Sequence, residues 1–386
     1  MNNFIYENKT KVYFGKGCVK EYLTCLLKHY GDNVMLAYGS GSVKRNGIYD
    51  EIMSYLDKAG KFVTEFSGIM SNPTYAKVQE GAKLARENNV DLILAVGGGS
   101  VIDCCKIVSA QAKENKDLWD MEFKNHSYPT EFIPMVAVVT ASGTGAEMNN
   151  GAVITNEEKK IKTGMRGAQA DVAMLDPMYT MSLPMEQVIS GAFDTLSHCM
   201  ETYFDKISEN NLSDDINEAV MRCVIRNMRK LLTEPQNYEA RSELMWASSM
   251  GENGILKIGK MTNFQSHMIE HQLGAYTDCN HGRGLAVIHP VYYRHIYQYN
   301  LEKFIRFARN VWNISSDDKT PAETALAGID ALAEFIKEMG LPTSLREMNI
   351  TDKECLRAVA DSTTLLSSSG SKMTNDGVYE ILTECF

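Results

Sequence analysis

Short apolar runs rich in β-branched residues recur through the first half of the chain, and stretches of helical periodicity separate them. Asn33–Tyr38 reads as a buried strand ending at Gly39-Ser40-Gly41-Ser42, with an amphipathic helix, Ile48 to Ala59, after it. Lys61–Phe66 reads as a second strand and Thr74 to Asn88 as a second helix. Asp91–Val96, the third strand, runs into Gly97-Gly98-Gly99-Ser100, and Val101 to Lys113 is the helix behind it. Met135–Val139, the fourth, ends at Thr140-Ala141-Ser142-Gly143-Thr144. Strands alternating with helices of this length predict βαβ units and a parallel sheet. Ligands of such sheets bind beyond the carboxyl ends of the strands, where three of the four runs end in Gly/Ser/Thr-rich loops.

After Asp176-Pro177 the β-branched runs stop. Met185 to Phe204, Asp214 to Leu232, Glu239 to Met250, Asn263 to Leu273, Leu301 to Val311 and Thr320 to Met339 all show helical periodicity. The expected architecture is an α/β N-terminal domain with a parallel, Rossmann-like sheet over residues 1–183 and an all-α C-terminal domain over 184–386. A length of 386 residues fits two cores better than one.

Composition narrows the function. A formal net charge of -10 argues against a nucleic-acid partner and against an anionic membrane surface. No run approaches the roughly 18 apolar residues of a membrane helix, and Met1–Glu7 has neither the basic nor the apolar region of a signal peptide. Nine scattered cysteines without a C-x-x-C pair point to reduced thiols in the cytoplasm and away from a thiolate zinc site.

Gly97-Gly98-Gly99-Ser100, between a strand and a helix, suits close approach to a phosphate, positive φ and donation from a helix N-terminus. It is equally the composition of a tight turn. It is not G-x-G-x-x-G, so an ordinary Rossmann assignment would be wrong in detail. Asp103, placed in the first turn of the helix, is either a dipole-favoured acid or a cofactor contact. Asn72 and Lys162 complete the candidate cofactor contacts, although the charge run before Lys162 does not reveal its role.

Asp194 and His198 stand i,i+4 on a helix face, which by itself also suits a local hydrogen bond. His267 and His271 repeat that spacing, and after Gly274 ends their helix a loop supplies His281. Three of the eight histidines thus fall within fifteen positions and a fourth pairs with an aspartate. A carboxylate with two or three imidazoles suits Fe(II), Zn(II) or Mn(II) with a position left open. His29, His126, His289 and His295 read as surface or satisfied core residues.

These motifs resemble the iron-containing (group III) alcohol dehydrogenase family, in its subgroup of NADP-dependent butanol dehydrogenases and aldehyde reductases, over essentially the whole chain. The residues that carry the resemblance are Thr10–Gly17, Gly97–Asp103, Thr140–Glu147, the run from Asp176 through Pro184 and Gly191 to Asp194-Thr195-Leu196 and Glu201, and the run from His267 through His271 and Leu273-Gly274 to His281-Gly282. The resemblance implies a dehydroquinate synthase-like fold and metal ligation by Asp194, His198, His267 and His281. It implies a role for His271 near substrate and nicotinamide, and a homodimer. NADP(H) is the expected cofactor. The loop Gly39, Ser40, Gly41, Ser42 lacks the acid that an NAD site presents to the ribose, and Lys44 and Arg45 follow it. The expected partner is a small alcohol or aldehyde, and the expected metal is Fe(II) or Zn(II). A metal-dependent hydrolase, a non-catalytic nucleotide binder and a polyol dehydrogenase are the rivals.

Overall fold

The structure, a computed structural model, describes residues 2–204, 210–262, 264–366 and 372–386. Asn263, which opens one predicted helix, lies outside them. The chain divides into two units: Glu7–Pro184, and Met1–Tyr6 with Met185–Phe386.

The first unit runs β1 (Lys11–Phe14), α1 (Cys18–Leu27), β2 (Asn33–Gly39), α2 (Ser42–Arg45), α3 (Ile48–Lys58), β3 (Phe62–Ile69), α4 (Tyr75–Glu87), β4 (Leu92–Gly97), α5 (Gly99–Lys113), α6 (Leu118–Phe123), β5 (Met135–Val139), β6 (Gly151–Asn156), β7 (Ile161–Arg166) and β8 (Val172–Leu175). Six strands form one sheet in the order β1-β8-β5-β4-β2-β3, every pairing parallel. The inner strands β2, β4, β5 and β8 are buried on both faces, as parallel strands are when helices cover them, while the edge strands β1 and β3 are largely exposed. Val34, Leu36 and Tyr38 of β2, with Leu92, Leu94 and Val96 of β4, pack with Leu23 of α1 and with Ile52 and Leu56 of α3. The alternate residues Met35, Ala37, Ile93, Ala95, Met135 and Ala137 are equally buried. At Gly81 of α4 an added Cβ would stand 2.7 Å from both Phe66 and Val108, so α4, β3 and α5 close without space for a side chain.

Five sequence-based expectations need correction. The hairpin β6–β7, strand β8 and helices α1, α2 and α6 fall outside the predicted elements, being short or lacking a clean period. Asp103 lies a full turn into α5, because the helix begins at Gly99. Gly97, Gly98 and Gly99 have no positive φ; Gly98 sits at φ -86°. Glycine is required there by proximity. A Cβ on Gly99 would stand 2.2 Å from Thr144 Oγ1, and one on Gly97 2.5 Å from Val101 Cγ2. The remaining two concern the second unit.

That unit is helical: α7 (Met185–Tyr203), α8 (Leu212–Thr233), α9 (Tyr238–Glu252), α10 (Gln265–Thr277), α11 (His281–Ile296), α12 (Leu301–Asn310), α13 (Pro321–Glu338), α14 (Glu354–Ser362) and α15 (Asn375–Glu384). Starts are written in capping residues. Asn211 and Asp214 make a capping box for α8, Thr320 and Glu323 one for α13 with Pro321 at its first turn. Gly274 does not end α10, which continues to Thr277. His281 is therefore not in a loop; it opens α11, a helix masked in sequence by Gly282, Gly284 and the internal Pro290. Among the described residues no helix is long and apolar enough to cross a membrane.

The contact between Gly99 and Thr144 yields a stability test. Gly99→Ala forces the two loops apart and should cost about 1–3 kcal/mol in denaturant unfolding. Gly164→Ala, with nothing within 4 Å of its new methyl, serves as the near-neutral control. Equal stability of the two variants would contradict this packing account.

Candidate metal centre and cofactor loops

Helix α7 sets three side chains on one face. Asp194, His198 and Glu201 follow at i, i+4 and i+7, and all are buried. Glu201 then positions the next helix. No side chain of the preceding residue, Phe264, caps α10. The Glu201 carboxylate instead accepts from the backbone N–H of Ser266 at 2.7 Å and of His267 at 3.1 Å, and from His267 Nδ1. One carboxylate thus satisfies the orphan donors of a helix start and fixes the ring of a histidine in its first turn.

Helix α11 is fixed to α7 in a similar way. Asn280 caps it by accepting from Arg283 N at 3.1 Å and also accepts from the Ser190 hydroxyl at 2.5 Å. Gly282 lies so close that a Cβ would meet the Ser190 carbonyl oxygen at 2.2 Å. Ser190 is one turn before Asp194, so this contact delivers His281 to the same face. Glu270 of α10 takes His281 Nδ1.

The result is convergent. His198 Nε2, His267 Nε2 and His281 Nε2 stand 3.8, 3.7 and 3.4 Å from Asp194 Oδ1. These separations are too long for good hydrogen bonds, and both Asp194 Oδ1 and His267 Nε2 are buried with no hydrogen-bond partner. They come within a few tenths of an ångström of the spacing of ligands sharing an ion: donors about 2.0–2.2 Å from a tetrahedral centre stand roughly 3.3–3.6 Å from one another. Burial pushes the Asp194 carboxyl up, but His198, His281 and His267 hold it well below its ordinary value. Burial pushes His198 down. It opposes the charge on His267 too, yet Glu201 and Asp194 raise that imidazole to about 10. The buried charge calls for a cation, and a divalent ion at these nitrogens would supply one in place of a proton.

Asp194, His267 and His281 offer ligand atoms within 4.8 Å of one another. His271 belongs to a second such group, with Glu270 and His281. Its ring centre lies 5.6 Å from that of His281 and 5.9 Å from that of His267. Glu201 and Glu270 are the residues that sequence reasoning left unassigned. Their signal was spacing, i+7 from Asp194 and i+3 from His267, but a buried glutamate at helical spacing announces no partner on another helix. His289 is a core histidine hydrogen-bonded to the Ser197 hydroxyl.

In the first unit, the carboxyl ends of β2, β4 and β5 are adjacent because those strands are adjacent in the sheet. Thr140 N donates to Gly97 O at 3.0 Å, Thr144 packs on Gly99, and the Ser100 hydroxyl donates to Ser71 O beside Asn72. Ser142 is half-buried in the same loop as Thr140 and Thr144. Gly39 and Gly41 frame Ser40, with Gly41 at φ 108° directly before Ser42 opens α2. Asp103 accepts from Val153 N at 2.9 Å and pairs with the buried Lys106 at 3.3 Å, which ties α5 to β6. Lys162 is buried on β7 opposite Thr155, whose N–H donates to Pro73 O at 2.9 Å. The solvated run Glu157–Lys160 beside it is exposed.

Comparison with known proteins places this geometry. A family model described as iron-containing alcohol dehydrogenase matches residues 9–177, and one for the C-terminal part of Fe-containing alcohol dehydrogenases matches 188–386. The probable NADH-dependent butanol dehydrogenase 1 of Bacillus subtilis is 40% identical over 94% of this chain and 93% of its own. The NADPH-dependent aldehyde reductase YqhD of Escherichia coli is 35% identical over 91% of this chain and 90% of its own. The crystal structure of NADH-dependent butanol dehydrogenase A from Thermotoga maritima superposes with a TM-score of 0.93 at 34% identity, covering 100% of this chain and 99% of that one. With both halves matched and relatives aligned nearly end to end, the chain belongs to the iron-containing alcohol dehydrogenase family and is an oxidoreductase of the alcohol dehydrogenase and aldehyde reductase type.

Proposed function

We propose that the chain interconverts small primary alcohols and aldehydes of butanol/butanal size, using NADP(H) and one Fe(II) or Zn(II) ion held by Asp194, His198, His267 and His281. The observation that carries this reading is the convergence of three imidazole nitrogens on one unpartnered, buried carboxylate oxygen. When bound, the ion supplies Lewis-acid polarisation of a carbonyl oxygen and the reduced nicotinamide supplies the hydride. The chain's own residues do the rest. Glu201 and Glu270 hold Nδ1 of His267 and His281 and so keep each Nε2 turned toward Asp194. His271, buried on the same helix face as His267, is the group we assign to hold or move the proton of the alcohol oxygen. The loops at Gly39–Ser42, Asn72, Gly97–Ser100 and Thr140–Thr144, with Asp103 and Lys162, are assigned to the cofactor. Free thiols at all nine cysteines support a cytoplasmic setting, and a homodimer completes the reading.

NADP(H) is favoured by a loop with no acid, two glycines and an exposed Arg45. A second reading, NAD(H), is favoured by one observation: Lys44, the other nearby cation, is engaged by Glu65 at 3.2 Å. The names of the relatives divide the same way, NADH in Bacillus subtilis and NADPH in Escherichia coli.

Three outcomes follow. His267→Ala and His281→Ala should lose bound metal and turnover together, whereas His271→Ala keeps the metal and loses rate on the order of 10²-fold. Metal analysis beside a butanal assay decides this, and loss of metal from His271→Ala would make it a ligand. Glu201→Gln and Glu270→Gln should weaken metal affinity by about 10–100-fold, read from titration of the metal-stripped protein with Co(II). Unchanged affinity would mean that the two glutamates only pack. Finally, kcat/KM for NADPH should exceed that for NADH in the wild type; a ratio at or below one would establish the NAD(H) reading.

A further inference from the structure

No acid lies in the Gly39–Ser42 loop, but one stands close behind it. Glu65 is on β3, in register with Leu36 of β2. Its carboxylate gathers the Tyr38 hydroxyl, the Tyr49 hydroxyl at 2.6 Å and the Lys44 ammonium at 3.2 Å. Lys44 is two residues past Ser42, on α2. Its Nζ also lies 4.3 Å from the ring centre of Tyr49 and 5.2 Å from that of Tyr38, so it folds back over two aromatic faces toward the sheet. Hydrogen bonds from Tyr38 and Tyr49 keep the Glu65 carboxyl below its usual range, and it stands as an anion at neutral pH.

We propose that Glu65 is a specificity-determining residue for the nicotinamide cofactor: by holding Lys44 it withholds from the Gly39–Ser42 loop a cation that the 2′-phosphate of NADP(H) would attract, and so narrows the preference that the acid-free loop creates. The inference rests on the nicotinamide reading of that loop. A lone exposed pair would be too weak to do this, since the two side chains are 48% and 41% exposed. Here the carboxylate end is fixed by two phenols and the ammonium end by two rings, so neither group is free to rotate away. Glu65 acts on the cofactor through Lys44 and through the field of its own charge, which repels a dianion more than a hydroxyl.

The test is a double-variant cycle on the metal-loaded, full-length enzyme, with dissociation constants for NADPH and NADH read from nicotinamide fluorescence. Glu65→Gln, which keeps one acceptor oxygen for a phenol and turns an amide donor toward the oxygen of the other, should tighten NADPH by about tenfold and leave NADH within about twofold. Lys44→Ala alone should change NADPH by less than about threefold, and in the Glu65→Gln background it should cancel most of the gain. A ratio unmoved by Glu65→Gln would overturn the inference. So would a tenfold loss of NADPH affinity in Lys44→Ala alone, a measurement that decides the matter even if the glutamine variant does not fold. Binding of neither cofactor by the wild type would remove the nicotinamide reading itself, and this inference with it.

Discussion

A buried carboxylate without a partner is among the costliest features a helical unit can contain. Asp194 is 3% exposed, and its Oδ1 has no hydrogen bond, only three imidazole nitrogens 3.4–3.8 Å away. A cation would complete the arrangement, and the surrounding helices hold its side chains in place. The junction that places α10 on α7 is Glu201, which caps the helix and orients His267 through the same carboxylate. The junction that places α11 on α7 is Asn280, which caps the helix and bonds Ser190 one turn from Asp194. Ligand geometry and helix packing are therefore not separable here. A shift at either junction moves a histidine.

The first unit reaches its site by another route. Its loops present backbone and small side chains, and close packing is their main constraint. Gly99 admits Thr144, Gly97 admits Val101, and Thr140 N–H is spent on Gly97 O. What such loops offer a ligand is backbone donors on a rigid support, with a helix N-terminus behind them. Asp103 illustrates the support. Its carboxylate holds Val153 of β6 and the buried Lys106, so whatever it contributes to a cofactor it contributes from a fixed position.

Much of this was legible in the sequence because the elements concerned carry strong periods. β2, β4 and β5 are unbroken apolar runs, and α7 repeats its buried face over five turns. The missed elements share a different cause. β6 and β7 form a two-stranded sheet of their own, β8 is four residues long, and α11 hides its start behind two glycines and an internal proline. Local signals were weak there because tertiary contacts decide those segments: Gly282 is needed by the Ser190 carbonyl, and Gly284 by Glu270. The metal-ligating candidates were visible as residue types at i,i+4 spacing. The glutamates behind them were not, because a partner on another helix leaves no trace in spacing along one chain.

The three imidazoles are unequal, and the inequality bears on how tightly the proposed site would hold an ion. His267 and His281 each give Nδ1 to a carboxylate, which orients the ring and makes Nε2 a stronger donor. His198 Nδ1 is buried without such a partner, and the ring is held by stacking on His267 at 4.6 Å between centres. A nitrogen and oxygen donor set of this kind exerts no preference for soft metals, and by ligand type it accepts Fe(II), Mn(II) and Zn(II) alike. Intrinsic affinity in that series rises toward Zn(II), so a donor set that does not discriminate leaves occupancy to follow both affinity and supply. The two carboxylate-backed histidines would raise affinity for every member of the series. On this argument the proposed site would fix where a divalent ion sits and how tightly it is held, and its donor set would leave the choice among Fe(II), Mn(II) and Zn(II) to affinity and supply.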